Sequence, residues 1–343
     1  MEKISLGKLP TVMTSRELID TAFRRASEAA PRIKGSPREV AVQREQQRIT
    51  VVTATVVEHL KKTVAAFPTL TGLPQFHRDL VEALCGIDRL RKALGAIAGA
   101  TKVVEKIRRE QLRKLKYIKY PAEAAAVRRQ AYGRISSVLK KIDQELLFLK
   151  EAAKKLSELP EVYVDMPTIV IAGYPNVGKS TLLKALTGSS PKIAPYPFTT
   201  TGIQLGYFED RHRRYQVVDT PGLLDRPLEE RNQVELQAIS ALKNLAGVIV
   251  FLLDPSETCG YRLADQLHLL EEVRRSFPHT RIFVAANKAD LLGPELTQQI
   301  QRDHPDILLL TATTGEGVEE LRRRLIAELG SSPPGAGPRS QNL

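Results

Sequence analysis

The sequence has few of the residues on which several classes of protein depend. It contains two cysteines, Cys85 and Cys259, without CxxC spacing, so we expect neither a disulfide framework nor a zinc site. The longest uncharged apolar run, 246–253, is too short to span a bilayer, and the first residues lack the apolar core of a signal peptide. We therefore expect a cytoplasmic protein with no membrane partner.

Aromatic residues are also scarce, whereas positive charge is abundant in one half of the chain. Tryptophan is absent, which gives little support for stacking on single-stranded bases. Residues 1–160 carry a formal charge of +15, and residues 161–343 carry −3. This asymmetry predicts a polyanionic partner for the first half only.

The 343 residues exceed the usual size of one domain, and the texture of the sequence changes near residue 160. In residues 1–159, Thr14–Glu17 and Ser36–Glu39 match the capping-box spacing, and apolar residues recur at helical intervals. We predict an all-α helical bundle, with long helices at 37–66, 74–84, 87–118 and 122–157.

In residues 160–330, short β-rich runs alternate with helical segments. Strands are predicted at 168–172, 203–208, 215–218, 248–253, 282–286 and 307–310. This order predicts an α/β fold with a doubly wound, mostly parallel sheet. Residues 331–343, rich in Pro, Gly and Ser, are expected to form a disordered tail.

A phosphate-binding loop is predicted between the first strand and the helix that follows it. The segment Gly173, Tyr174, Pro175, Asn176, Val177, Gly178, Lys179, Ser180 satisfies GxxxxGK[ST], and Thr181 continues into the helix. Backbone N–H groups would surround the phosphates, and Lys179 would reach the β- and γ-phosphates, which gives it a catalytic role. The Ser180 hydroxyl would bind Mg²⁺.

Two further motifs predict a nucleotide switch and a guanine site. In a DxxG after a predicted strand, the Asp219 carboxylate would hold Mg²⁺ through water. The Gly222 N–H would contact the γ-phosphate, which makes Gly222 a catalytic candidate. Asn287, Lys288 and Asp290 follow another strand. The Asp290 carboxylate offers only acceptors, which suit the adjacent N–H donors of guanine and not adenine. The backbone of Thr311, Ala312 and Thr313 would lie near guanine O6. Together these motifs predict a P-loop G domain that binds GTP and GDP.

The residues that complete the switch are less fully specified by the sequence. Thr200 is our choice for the switch threonine that binds Mg²⁺ and acts in catalysis, with Thr199 and Thr201 as alternatives. Leu223 stands where a Ras-like enzyme has the Gln that orients water. We therefore expect slow hydrolysis, stimulated by potassium or by a ribosomal partner. Asn176 is the candidate K⁺ ligand, although a plain turn role fits it equally well.

These motifs resemble those of the Obg-like GTPases in residues 173–180, 196–200 and 219–226. The segments 226–232 and 253–261 resemble, more narrowly, the nucleolar GTP-binding protein 1 family. The resemblance covers nearly the whole chain and implies a role in assembling the large ribosomal subunit. It also implies rRNA and the pre-ribosomal particle as partners, and no DNA. Because the chain ends soon after the G domain, we expect a short, archaeal-type member.

A dense basic run lies in the third predicted long helix. It comprises Lys102, Lys106, Arg108, Arg109, Arg113, Lys114, Lys116 and Lys119. One interpretation is a surface that follows rRNA phosphates. The alternative is a solvated helix face in a GTPase signalling module whose helical bundle binds a protein.

Overall fold

The computed structural model describes residues 9–29, 34–69, 72–158, 162–194, 196 and 202–331. The chain forms two compact units. The helical unit contains the described residues of Lys8–Thr71 and Leu84–Ser157, and the sheet unit contains Gly72–Ala83 and the described residues from Glu158 onward. The units therefore do not follow chain order strictly, because a short segment of the first half belongs to the sheet unit.

The described residues before 158 are helical, as predicted. The helices are α1 (Ser15–Glu28), α2 (Pro37–Ala66), α3 (Gln75–Cys85), α4 (Ile87–Lys116), α5 (Pro121–Lys141) and α6 (Asp143–Ser157). None of the described helices is long and apolar enough to cross a membrane.

Both predicted capping boxes are formed at the starts of α1 and α2. The Thr14 hydroxyl accepts the Glu17 N–H, and the Glu17 carboxylate accepts the Thr14 N–H. Ser36 and Glu39 make the same reciprocal pair before α2. Each box satisfies backbone donors that a helix start leaves open, which fixes where the helix begins.

The predicted single helix at 122–157 is two helices, α5 and α6, separated at Ile142. Ile142 leaves the helical conformation, and its N–H bonds to the Leu139 carbonyl at 3.2 Å. The Asp143 carboxylate then accepts the Ser15 N–H of α1 at 3.0 Å. This break depends on a contact between distant parts of the chain, so the local sequence gives no sign of it.

The sheet unit has a seven-stranded sheet in the order β2-β3-β4-β1-β5-β6-β7. The strands are β1 (Thr168–Ala172), β2 (Lys192–Ala194), β3 (Ile203–Asp210), β4 (Arg213–Asp219), β5 (Val248–Leu253), β6 (Arg281–Ala286) and β7 (Leu308–Leu309). The helices are α7 (Lys179–Thr187), α8 (Gln233–Lys243), α9 (Leu263–Ser276), α10 (Pro294–Asp303) and α11 (Val318–Ser331).

Five strands are parallel, and the β2–β3 and β3–β4 pairs are antiparallel. The predicted mostly parallel α/β sheet is confirmed, although β2 was not predicted. Because β4, β1, β5, β6 and β7 run in the same direction, the residues that follow them meet at one edge of the sheet. That edge carries the predicted nucleotide motifs.

Most of helix α3 belongs to the sheet unit, which includes Gly72–Ala83. Its residues Phe76, Leu80 and Val81 are buried, and the Asp79 carboxylate accepts from the Asn244 amide at 2.7 Å. The helical periodicity predicts α3 correctly, but it does not show which unit the helix joins.

Candidate nucleotide-binding site

The loop between β1 and α7 has the backbone geometry of a phosphate-binding loop. Gly173 and Gly178 have φ angles of 135° and 103°. A Cβ at Gly173 would collide with the Leu252 carbonyl oxygen, and one at Gly178 would collide with the Asn287 amide. Both glycines are therefore required by conformation and by space.

Lys179 occupies the interior of this loop. Its side chain is buried, and its ammonium donates to the carbonyl oxygens of Gly173 and Tyr174, each at 2.8 Å. Burial lowers the pKa of Lys179, against the charge of nearby Asp219. No described carboxylate lies within ion-pair distance of the ammonium, so an entering phosphate would supply its close partner of opposite charge.

Ser180 and Asp219 meet beside Lys179. The Ser180 hydroxyl donates to Asp219 Oδ2 at 2.6 Å, while the buried Asp219 Oδ1 has no hydrogen-bond partner among the described residues. Burial raises the pKa of Asp219 above its ordinary value, against the Ser180 hydrogen bond. A bound cation would satisfy the unpartnered oxygen, and oxygen donors of this kind suit Mg²⁺. Thr200, with Thr199 and Thr201, lies outside the described residues.

Asn287 joins three loops of the site. Its amide nitrogen donates to the Val177 carbonyl at 2.8 Å, and its amide oxygen accepts the Ala312 N–H at 2.9 Å. The amide nitrogen and the amide oxygen of the side chain are thus both hydrogen-bonded. Asn287 therefore holds the loop after β6 against the phosphate loop.

The predicted base-recognition groups lie on either side of Asn287. Asp290 is exposed in the short 3-10 turn Ala289–Leu291, and none of its described contacts is a hydrogen bond or an ion pair. The N–H groups of Thr311 and Ala312 already bond to Glu316 and Asn287. Of the three predicted neighbours of guanine O6, Thr313 alone keeps an unbonded N–H within the described structure.

Asp254, which sequence reasoning missed, follows β5 and organises the loop beside Lys288. The fully buried carboxylate accepts from Lys288 Nζ at 2.6 Å, Thr258 Oγ1 at 3.0 Å and the Cys259 N–H at 2.8 Å. Burial by itself would raise the pKa of Asp254, but the hydrogen bonds from Lys288, Ser256 and Thr258 outweigh it and hold the pKa below its ordinary value. A carboxylate at the end of a wholly apolar strand was the signal that could have found it.

A second unpredicted cluster lies after Gly222, which has a φ of 81°. The Gly222 N–H, predicted to contact the γ-phosphate, donates to Asp225 Oδ2 at 2.7 Å. Asp225 Oδ1 in turn pairs with the buried Arg231 guanidinium at 3.0 Å, and Arg231 also donates to the Gly222 carbonyl. Leu223 is buried, which keeps it away from any attacking water.

The eight basic residues predicted to contact RNA lie on and just after the second half of α4. All eight are exposed, whereas Val104, Ile107 and Leu115 of the same segment are buried. None of the eight forms an ion pair with another described residue. Tyr117 and Tyr120, which sequence reasoning did not select, are 74% and 67% exposed among them. We call the eight basic residues with these two tyrosines the α4 basic surface.

The phosphate loop, the Ser180–Asp219 pair and the Asn287-centred base loop define a P-loop GTPase domain. In agreement, residues 168–288 match the family described as "50S ribosome-binding GTPase", and residues 6–163 match the "NOG1 N-terminal helical domain". The chain belongs to the nucleolar GTP-binding protein 1 family.

The relatives differ in how much of their length they share with this chain. An uncharacterized protein of Methanocaldococcus jannaschii is 42% identical over 291 residues, which is 84% of this chain and 81% of the relative. Nucleolar GTP-binding protein 1 of Drosophila melanogaster is 34% identical over 77% of this chain and 42% of its own. The Saccharomyces cerevisiae protein of the same name is 29% identical over 95% of this chain and 52% of its own. The chain thus spans about half the length of the nucleolar relatives that it matches.

Proposed function

We propose that this protein is a GTP-switched factor in assembly of the large ribosomal subunit, and that its helical unit docks on rRNA. The observation that carries the proposal is the α4 basic surface. Its eight cations are exposed and form no ion pair within the described structure, and they belong to the helical unit, whereas the nucleotide motifs belong to the sheet unit. The family supports it, because its eukaryotic members are named nucleolar and its GTPase family is described as 50S ribosome-binding.

The chemistry of the α4 basic surface fits an RNA partner better than a plain solvated face. Lysine and arginine side chains neutralise phosphates and release counterions, so binding falls steeply as salt increases. Exposed Tyr117 and Tyr120 would each bring an aromatic plane into this charge field, and RNA-binding modules stack unpaired bases on such planes. Exposed tyrosine rings add nothing to solubility, so a surface that serves only to keep the protein soluble does not account for them.

In this proposal the G domain binds GTP with Mg²⁺ in the cytoplasm and hydrolyses it slowly. The buried Leu223 has no polar group to position the attacking water, so a different residue, an ion or a partner must do so. Asn176 is exposed in the left-handed conformation, where its amide oxygen is free to bind K⁺. Hydrolysis rates that are equal in potassium and sodium would exclude this role and leave a ribosomal partner as the source of stimulation.

The proposal is tested by the salt dependence of binding between the full chain and large-subunit rRNA. The test variant reverses Arg108, Arg109, Arg113 and Lys116 to Glu. The matched control reverses four exposed cations elsewhere in the helical unit, namely Arg24, Lys92, Lys140 and Lys154. We expect the test variant to lose at least tenfold more affinity than the control and to show a flatter salt slope. Equal losses, or no salt-sensitive binding in the wild type, would favour a protein partner instead.

A further inference from the structure

A cavity of about 390 Å³ in the sheet unit lies away from the GTP site. It is bounded by the last turn of α7, the outer part of β3, and two arginines, Arg214 and Arg322. Arg214 stands near the start of β4, whereas Asp219 of the Mg²⁺ site ends that strand. Five residue-to-residue steps of extended chain place them about 17 Å apart. The cavity is therefore separate from the nucleotide site.

One side of this cavity is the open edge of the sheet. Strand β2 pairs only with 203–205 of β3, so the rest of β3 has no outer strand partner within the described residues. The Glu209 carbonyl on this edge accepts instead from Arg322 at 3.3 Å. The edge thus presents backbone groups and arginine side chains together.

The charged groups of the two arginines lie over aromatic rings. The Arg214 guanidinium lies 4.6 Å from the centre of the Tyr207 ring, and that of Arg322 lies 4.7 Å from the centre of the Phe208 ring. A guanidinium on a ring is fixed in orientation and still has in-plane N–H groups to donate. Arg214 forms no ion pair among the described residues. The carboxylate partner of Arg322, Glu319, is 3.5 Å away and 83% exposed.

The last turn of α7, which also lines the cavity, has acceptors without hydrogen-bond donors. The carbonyl oxygens of Ala185, Leu186 and Thr187 end α7, and none accepts a hydrogen bond within the described part of the chain. The Glu209 carboxylate lies nearby. A ligand for this cavity must therefore combine an anionic group for the arginines with N–H donors for the carbonyl wall.

We propose that this cavity binds one nucleotide of a single-stranded RNA segment. The phosphate contacts the Arg214 and Arg322 guanidinium groups, and the base stacks on a guanidinium plane and donates its amino group to the α7 carbonyls. The hairpin residues 211–214, Arg-His-Arg-Arg, extend positive charge from the cavity mouth, although residues 161–343 as a whole carry −3. An acidic peptide also offers anionic groups and N–H donors, but it has no base to stack on a guanidinium plane. This site adds an RNA contact to the proposed function without depending on the α4 basic surface.

The test uses the full chain with GDP and Mg²⁺, in the background that reverses Arg108, Arg109, Arg113 and Lys116. The probe is a fluorescent single-stranded RNA decamer of mixed sequence. Arg214→Glu alone and together with Arg322→Glu are compared with Arg281→Glu plus Arg302→Glu. The control arginines are exposed in the same unit, and Arg281 also lies over a ring, that of Phe283. Unchanged GDP affinity reports an intact fold.

We expect about a tenfold loss of RNA affinity in the double variant, a smaller loss in Arg214→Glu, and less than twofold in the control. Equal affinities in test and control variants would overturn the cavity site. The role of the α4 basic surface would be unaffected, because it is tested separately by the variant that reverses Arg108, Arg109, Arg113 and Lys116. Competition by a poly-glutamate peptide as strong as by unlabelled RNA would identify a peptide site and also overturn the proposal. Competition by AMP at the same nucleotide concentration would assign the cavity to free nucleotides instead.

Discussion

At the scale of single residues, we propose that Asp290 selects guanine over adenine. Its carboxylate is exposed and unbonded within the described structure, so both oxygens are free for the two adjacent N–H groups of guanine. We predict that Asp290→Asn lowers GDP affinity at least tenfold and raises affinity for xanthosine diphosphate, whose carbonyl accepts from the new amide. Nucleotide titration by calorimetry measures both. If ADP competes with GDP equally in the wild type, the assignment of Asp290 is wrong.

Asp254 is not among the predicted nucleotide contacts, and we expect it to affect nucleotide binding by holding Lys288. The ion pair at 2.6 Å joins the buried Asp254 carboxylate to Lys288, which belongs to the predicted guanine site. We predict that Asp254→Asn weakens GDP and GTP binding equally, by about 1–3 kcal/mol, because a buried partner of a charged group is lost.

Asp265→Asn is the matched control for this variant, since it makes the same change at an exposed carboxylate in the first turn of α9. Its nucleotide affinity should equal that of the wild type. An Asp254→Asn protein with unchanged affinity for both nucleotides would show that Lys288 does not need its partner.

At the scale of elements, a carboxylate in the segment after β4 occupies a backbone donor that is predicted to contact a phosphate. The Asp225 carboxylate accepts the Gly222 N–H, which is the donor predicted to contact the γ-phosphate. The Asp225 carboxylate and a γ-phosphate are both anionic acceptors, so they would compete for the Gly222 N–H. We predict that Asp225→Ala raises the affinity for a non-hydrolysable GTP analogue several-fold relative to GDP.

The ratio of the two affinities is the quantity to measure, because it cancels any general change in the pocket. Glu229→Ala, at an exposed carboxylate in the turn Leu228–Glu230, serves as the control. A ratio that stays at the wild-type value in Asp225→Ala would mean that the contact does not oppose the GTP-bound arrangement.

The elements also show where prediction from sequence succeeds. Helix α2 runs over Pro37–Ala66 as predicted, because its capping box and apolar period are local signals. The loop at 173–180 was equally predictable, since its glycines are dictated by backbone geometry. The break at Ile142, the three-residue strand β2 and the Asp225–Arg231 pair were not, because each is selected by contacts with residues outside its own segment.

At the scale of the whole molecule, chain order and compact units differ in one place among the described residues. Residues 72–83 belong to the sheet unit, so a protein cut at the predicted boundary of 159 and 160 would separate α3 from Asn244 and expose its apolar face. The predicted division into 1–159 and 160–330 remains a proposal for independent folding. Experiments on RNA binding are for this reason designed with the full chain.

The central claim is that GTP controls docking of a basic helical unit on large-subunit rRNA. Its most direct test is co-sedimentation of the full chain with large ribosomal subunits, in GDP or a non-hydrolysable GTP analogue, at low and high salt. We predict more bound protein with the analogue, loss of binding at high salt, and loss in the variant that reverses Arg108, Arg109, Arg113 and Lys116. Binding that is the same with both nucleotides and survives in that variant would contradict the account.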